Sequence, residues 1–225
     1  MTWRIPPEQS AEFVCRMEAV LDVYMRPYDP LFPVVCMDEM PKQLLGQTEA
    51  PIPPAPGRAR RQEHEYVREG TCSVWMFVEP LGLWRDVRAT ERRTKVDWAI
   101  QVRDLVDDPR YASAERITLV CDNLNTHDLS SLYEAFVPEE AHRLARRIEI
   151  VHTPKKGSWL NIAEIELSVL DRQCTHPRIP SLGAVYRETR AWCADRNHRQ
   201  KGVDWQFTTE DARIKLKRLY PQVKE

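Results

Sequence analysis

Two short apolar runs that end on an acid decide the fold: VVCMD at residues 34–38 and RITLVCD at residues 116–122. Each run has the length and the β-branched content of a buried β-strand. A carboxylate at the end of such a strand costs free energy unless it is paired or bound to a cation. If the two strands are parallel neighbours, Asp38 and Asp122 converge beyond the carboxyl edge of one sheet.

The remaining chain predicts helices and further strands around this pair. Apolar residues at helical spacing indicate helices, and short β-branched or aromatic runs indicate strands. The predicted elements are helix 8–26, strand 34–38, a proline-rich loop 47–62, a hairpin of strands 71–79 and 83–90, helix 93–108, strand 116–122, a helical region 130–147, strand 148–153, loop 154–159 and helices 161–174, 181–196 and 209–219. This order predicts an α/β fold with a mixed sheet. A ribonuclease-H-like fold, a five-stranded mixed sheet flanked by helices, has this order, and many other α+β folds fit it too.

Composition is typical of a soluble globular protein. The chain has 225 residues, of which 42% are hydrophobic and 30% charged, and its formal net charge is −1. That balance excludes a highly basic DNA-coating protein but not an enzyme acting on nucleic acid. The apolar runs are far shorter than the ~20 residues of a membrane span, and the N-terminus shows no signal region. The six cysteines form no CxxC pair, which argues against a zinc ribbon or redox motif.

A third carboxylate follows on the helix predicted after Pro154. Glu164 and Glu166 point about 200° apart around a helix, so only one can face the two strand-end acids. Apolar neighbours favour Glu164 as the inner residue; they are Ala163, Leu167 and Leu170. Three converging carboxylates repel one another and select a hard cation, Mg²⁺ or Mn²⁺. The alternative is that each acid is only a turn former or a helix cap.

Three motifs carry a resemblance to a known family. They are CMDE at 36–39 followed by KQL at 42–44, LVCDNLNTH at 119–127, and TPKKGSWLNIAE at 153–164. They resemble the acidic motifs of bacterial insertion-sequence transposases of the mariner-related superfamily, the insertion sequence 630 family. The pattern Ser-Trp-Leu-Asn-x-x-Glu is the most specific part, and the resemblance extends from about Trp3 to Tyr220.

The resemblance implies a ribonuclease-H-like fold and a DDE catalytic triad of Asp38, Asp122 and Glu164. These acids would hold two Mg²⁺ or Mn²⁺ ions per active site for DNA strand cleavage and strand transfer, with Asp38 bridging both ions. The implied partners are transposon ends, target DNA and a second copy of the chain in a synaptic complex. We expect a cytoplasmic, nucleoid-associated protein without membrane contact. Because the first acidic motif lies close to Met1, we expect the helix-turn-helix portion that such enzymes carry to be missing from this chain.

The sequence departs from the family pattern at two further points. Asp122 and Glu164 are separated by 41 residues, an interval longer than in mariner relatives, and the extra length is assigned to the helical region 130–147. Lys156 stands where the pattern predicts a histidine. Because a cation remains available there, we expect little loss of function.

Five further residues are candidates for contacts with DNA: Lys155, Lys156, Asn123, His127 and Trp159. Lysines on a loop suit phosphate contacts, and a tryptophan suits stacking on a splayed base. Each has a structural alternative: a solvated loop for the lysines, site shaping through side-chain hydrogen bonds for Asn123 and His127, and packing for Trp159. Ser158 and Asn161 are expected to cap the following helix.

The predicted division of the chain is an N-terminal helix and lead-in at 1–33, a catalytic core at 34–175 and C-terminal helices packing on it at 176–225. Two other function classes stay open. One is a catalytically dependent or inactive transposase fragment that acts as a DNA-binding or assembly partner, as the expected absence of the helix-turn-helix portion suggests. The other is a stand-alone ribonuclease-H-like nuclease, against which the Ser-Trp-Leu-Asn motif speaks.

Overall fold

A computed structural model describes residues 8–47, 65–176, 178–200 and 202–222. In chain order its elements are α1 (Ala11–Tyr24), β1 (Val34–Gln47), β2 (Tyr66–Glu79), β3 (Trp84–Thr90), α2 (Lys95–Val106), β4 (Ile117–Cys121), α3 (Ser130–Ala135), α4 (Pro138–Arg147), β5 (Ile148–His152), α5 (Ile162–Leu170), α6 (Leu182–His198) and α7 (Thr209–Lys215). Among these described elements, no helix has the length and apolar character needed to cross a membrane. Most of the predicted loop 47–62 lies outside the described residues.

The five strands form one mixed sheet in the order β3-β2-β1-β4-β5. β2 is antiparallel to both β1 and β3, and β4 and β5 continue the sheet parallel to β1. Helices cover both faces of this sheet. The predicted α/β fold with a five-stranded mixed sheet flanked by helices is therefore confirmed.

The first strand is much longer than predicted. It pairs with β4 only from Val34 to Cys36, but it continues to pair with β2 as far as Gln47. Asp38 therefore lies inside β1, just past the point where the parallel pairing stops, and the prediction that it ends the strand is wrong. Beyond that point one side of β1 has no strand partner among the described residues, so Pro41, which has no N–H to donate, is tolerated there.

Alternation along β1 sends side chains to two separate hydrophobic clusters. Cys36 packs with α1, α5, α6 and α7 on what we call the first face of the sheet. Met37 packs with α2, α3 and α4 on the second face. By the same alternation Asp38 belongs to the first face and Glu39 to the second.

Two predicted helices are divided in the structure. The helical region 130–147 consists of α3 and α4, because Pro138 begins a new helix at its first position. The helix predicted at 161–174 is α5, which ends at Leu170 and continues as a wider π-helical turn, Asp171–Thr175.

A buried ion-pair cluster fixes α5 against β3 and α6. Glu166 is 3% exposed, and both its oxygens accept hydrogen bonds from Arg196, at 2.7 and 3.0 Å. Arg85 Nε lies 3.2 Å from Glu166 Oε2 and is itself buried. Asn197 then ties the backbone of Arg85 to α6 through hydrogen bonds at 3.0 and 2.8 Å.

We expect Glu166→Gln to lower the free energy of unfolding by about 3 kcal/mol, because removing one partner leaves buried arginine charge uncompensated. Urea unfolding of the purified chain measures this. Glu164→Gln is the matched control on the same helix, and it should change stability much less because Glu164 has no arginine partner among the described residues. Equal stability of Glu166→Gln and wild type would contradict the importance of this cluster.

Candidate active site

The three acids predicted from the sequence line one open cleft of about 420 Å³. Asp38 comes from β1, Asp122 directly follows β4, and Glu164 lies in the first turn of α5. The other lining residues are Glu39, Met40, Ser158, Asn161, Leu167, Ser168 and Asp171. The structure thus brings together side chains that are far apart along the chain.

Asn161 places Glu164 beside β1. Its Oδ1 accepts a hydrogen bond from Ala163 N at 3.1 Å and caps α5, while its Nδ2 donates to Met37 O at 2.9 Å. One buried side chain therefore joins the start of the helix to the residue before Asp38. Tyr24 adds a second tie, since its hydroxyl donates to Leu160 O at 2.7 Å. The start of α5 is held against the strand that carries the first acid.

Electrostatic repulsion is concentrated on Asp38. Burial, followed by the charges of Asp122, Glu39 and Glu164, raises the pKa of the Asp38 carboxyl to about 8, although a hydrogen bond from Glu39 N partly opposes the shift. Glu164 Oε2 is also buried and accepts no hydrogen bond from a described residue. The cleft therefore holds carboxylate oxygens that lack compensating donors.

These residues have the donor chemistry of a site for a hard divalent cation. Five carboxylates line the cleft, Asp38 is destabilised by burial and by three of the others, and a buried Glu164 oxygen has no donor among the described residues. Such oxygen ligands suit Mg²⁺ or Mn²⁺. In the described ranges no three His, Cys, Asp or Glu side chains already stand as a closed metal cage. The acids are ligands of the chemical type that binds such a cation. To bind it, their side chains must turn toward one another.

His127 is not on the surface of the cleft, and its burial favours the site-shaping alternative over a contact with DNA. It is fully buried, with Nδ1 2.6 Å from Asp122 Oδ1 and Nε2 3.3 Å from Glu39 Oε2. Its ring stacks on Trp98 with centroids 5.9 Å apart. Burial lowers its pKa, but contacts with Asp122, Cys121 and Glu39 outweigh burial and raise the pKa to about 12.

Trp159 is also buried, which favours the packing alternative over base stacking. Its ring meets Phe207 edge-on, with centroids 6.1 Å apart, and it packs in the cluster on the first face. The packing alternative applies to this residue.

The remaining candidates for DNA contact keep some solvent exposure. Lys155 and Lys156 are exposed on the loop before α5 and line a shallow pocket of their own with Ser10 and Glu12, apart from the acid cleft. Asn123 is half-buried next to Asp122 and is not among the cleft-lining residues.

The structure agrees with the choice of Glu164 over Glu166 as the acid that faces the cleft. The reason differs from the apolar neighbours on which the sequence analysis relied. Glu166, not Glu164, is the more buried of the two. Apolar neighbours therefore do not identify the glutamate that faces the cleft. What distinguishes them is pairing, since Glu166 binds two arginines and Glu164 Oε2 has no described donor.

Glu39 is a site residue that the sequence reasoning missed. Its side chain is 3% exposed and contacts His127 on the second face of the sheet. The sequence signal that could have found Glu39 is its position directly after Asp38. Adjacent residues of a strand point to opposite faces of the sheet, so Glu39 lies on the face opposite Asp38.

We expect Asp38→Asn to stabilise the metal-free protein at neutral and higher pH. The pKa of Asp38 rises from an ordinary 3.8 to about 8 on folding. Between these values the folded chain keeps a proton that the unfolded chain has lost, so wild-type stability falls as pH rises through the window and levels off above it. The variant has no such proton, so its advantage over wild type should be small near pH 4 and grow across the window to roughly 5 kcal/mol near pH 8.

Urea unfolding in chelator, at several pH values, measures this difference. Asp204→Asn, a change at an exposed acid outside the cleft, is the control. A stability difference between Asp38→Asn and wild type that does not grow with pH would show that Asp38 is not under repulsion in the folded chain.

Comparisons with known proteins agree with this geometry. Among solved structures, the chain is similar to the Mos1 mariner paired-end complex with Mn (TM-score 0.55, 14% identity, 89% of this chain and 62% of that one). Similar values hold for the Mos1 paired-end complex with left transposon end (0.54, 14%, 89% and 61%) and the Mos1 strand transfer complex (0.52, 14%, 89% and 62%). At this identity the likeness shows a shared fold. The chain spans about three-fifths of the length of these transposase chains.

No curated protein matches the sequence. A family model described as DDE superfamily endonuclease matches residues 33–185, which include all three acids of the cleft. Since this match covers well over half of the chain, the protein belongs to the DDE superfamily endonuclease family.

Proposed function

We propose that this chain is the catalytic part of a DDE transposase of the insertion sequence 630 group, which cleaves DNA at transposon ends and joins the freed 3′-hydroxyl to target DNA. The observation that carries the proposal is the convergence of Asp38, Asp122 and Glu164 on one cleft. Membership of a family of endonucleases supports the choice of a phosphodiester substrate.

Asp38, Asp122 and Glu164 are the residues proposed to hold two Mg²⁺ or Mn²⁺ ions. When bound, such ions supply activation of the attacking oxygen and stabilisation of the leaving oxygen. Asp38 is the best candidate to be shared by both ions, because its carboxyl responds to the charges of both Asp122 and Glu164. Asn161 positions the third acid by holding the start of α5 against β1.

DNA contacts are proposed for Lys155 and Lys156. Both are exposed, and their loop leads into the segment that carries Ser158, Asn161 and Glu164 along the cleft. Phosphate contacts from such lysines would supply affinity without reading the base sequence. We also propose that two copies act together, because two transposon ends must be joined in one reaction.

Catalysis is tested with the full chain, supercoiled plasmid and Mn²⁺. We expect plasmid nicking that requires the metal and that falls by at least about 100-fold in Asp38→Asn, Asp122→Asn and Glu164→Gln, since catalytic groups that act as a unit are lost together. Asp204→Asn should nick like wild type. A labelled duplex with a free 3′-hydroxyl in the same reaction reports strand joining.

Other outcomes would overturn the proposal. Nicking that survives all three substitutions would place the chemistry elsewhere. Cleavage of an RNA–DNA hybrid without cleavage of DNA would favour the stand-alone nuclease. DNA binding without cleavage in any metal would favour the dependent or inactive partner.

We expect the double change Lys155→Gln, Lys156→Gln to weaken DNA binding to a similar degree for different sequences. Loss of two phosphate contacts should also reduce the slope of log affinity against log salt by about 2. Fluorescence anisotropy with two unrelated duplexes at several salt concentrations measures both effects. Lys217→Gln, at another exposed lysine, is the control. An unchanged salt slope would remove this loop from the DNA interface.

A further inference from the structure

We propose that His127 and Glu39 are positioning residues for Asp122: His127 holds the Asp122 carboxylate, and Glu39 holds His127. The proposal rests on the proposed function, because it concerns the acid that would bind metal. It gives a role in this site to the buried His127 and to Glu39, which lines the cleft beside the three acids.

The Asp122 side chain needs a contact beyond its own strand to hold its carboxylate in one orientation. Its side chain is 35% exposed and follows the last residue of β4, so the strand alone does not fix its rotation. His127 meets one oxygen, Oδ1, at 2.6 Å. That contact leaves Oδ2 as the oxygen free to serve the cleft.

His127 is itself held rigidly. Its side chain is 1% exposed, and its ring stacks on Trp98. Its backbone N–H donates to Leu124 O at 3.0 Å, and its carbonyl is 2.8 Å from His152 Nε2 on β5. A ring fixed in this way can orient the more exposed Asp122 side chain.

Glu39 completes the arrangement from β1. Its Oε2 lies 3.3 Å from His127 Nε2, and Arg93 approaches its other oxygen at 3.8 Å. A carboxylate oxygen therefore lies near each ring nitrogen of His127, that of Asp122 at Nδ1 and that of Glu39 at Nε2. Because Glu39 is adjacent to Asp38 in sequence, the contact also ties the strand of the first acid to the second acid.

Supporting contacts of this kind determine how well a metal ligand works. Their loss commonly lowers metal affinity by about 10- to 100-fold even though no ligand is changed. His127 and Glu39 should therefore affect metal binding without touching the metal.

Two substitutions at one position separate the two contacts of His127. The amide of Asn lies at the same distance from the backbone as Nδ1, so His127→Asn keeps a donor for Asp122. The amide of Gln corresponds to Nε2, so His127→Gln keeps the contact with Glu39 and loses the one with Asp122. Glu39→Ala removes the support of the ring, and Glu39→Gln restores an acceptor.

Calorimetric titration of the metal-free full chain with Mn²⁺ measures the effect, and melting curves confirm that each variant folds. We expect Glu39→Gln to bind within about 3-fold of wild type, and His127→Gln and Glu39→Ala to bind about 10- to 100-fold more weakly. His127→Asn keeps the donor for Asp122 but loses the contact with Glu39, so it should bind more tightly than His127→Gln. If His127→Gln fails to fold, the Glu39 pair still decides the question.

Equal affinity in wild type, His127→Gln and Glu39→Ala would overturn the inference while leaving the proposed function intact. Equal losses in His127→Asn and His127→Gln would also overturn it, because ring volume and not the contact with Asp122 would then matter. Absence of Mn²⁺ binding by wild type would overturn the metal-dependent function itself, and the positioning role with it.

Discussion

Repulsion between the carboxylates of the cleft is the constraint that the rest of the structure must withstand. Asp38, Asp122 and Glu164 come from three separate elements, yet they line one cleft, and Asp38 responds to both of the others. Folding does not gain from placing like charges together. The surrounding structure must hold each element firmly enough to keep these acids close while the compensating cation is absent.

Three sets of buried polar contacts supply that stability, each at a different side of the cleft. Asn161 joins the start of α5 to β1, and His127 joins the end of β4 to Glu39 on β1. Glu166 anchors the other side of α5 through Arg85 and Arg196. Because every contact involves a buried or charged group, loss of one partner is costly, so each acid is carried by an element that cannot easily move.

The sequence predicted the sheet and the acids well because both depend on local pattern. Alternating and β-branched runs predicted the strands, and an acid after a buried run predicted Asp38 and Asp122 as site residues. The length of β1 was not predictable in this way, since it depends on a partner, β2, that continues after β4 has ended. His127 and Trp159 were assigned to the DNA surface because their burial depends on tertiary neighbours, namely Glu39 and Phe207.

The two glutamates of α5 show which physical property marks a functional acid. Burial alone would select Glu166, which is 3% exposed. Its charge is already balanced by two arginines, so its role is structural. Glu164 is less buried, yet one of its oxygens is enclosed without a donor among the described residues. An acid whose charge the fold leaves unbalanced is the one available to a cation. That property depends on where Arg85 and Arg196 lie in space, which is why it becomes visible only in the folded chain.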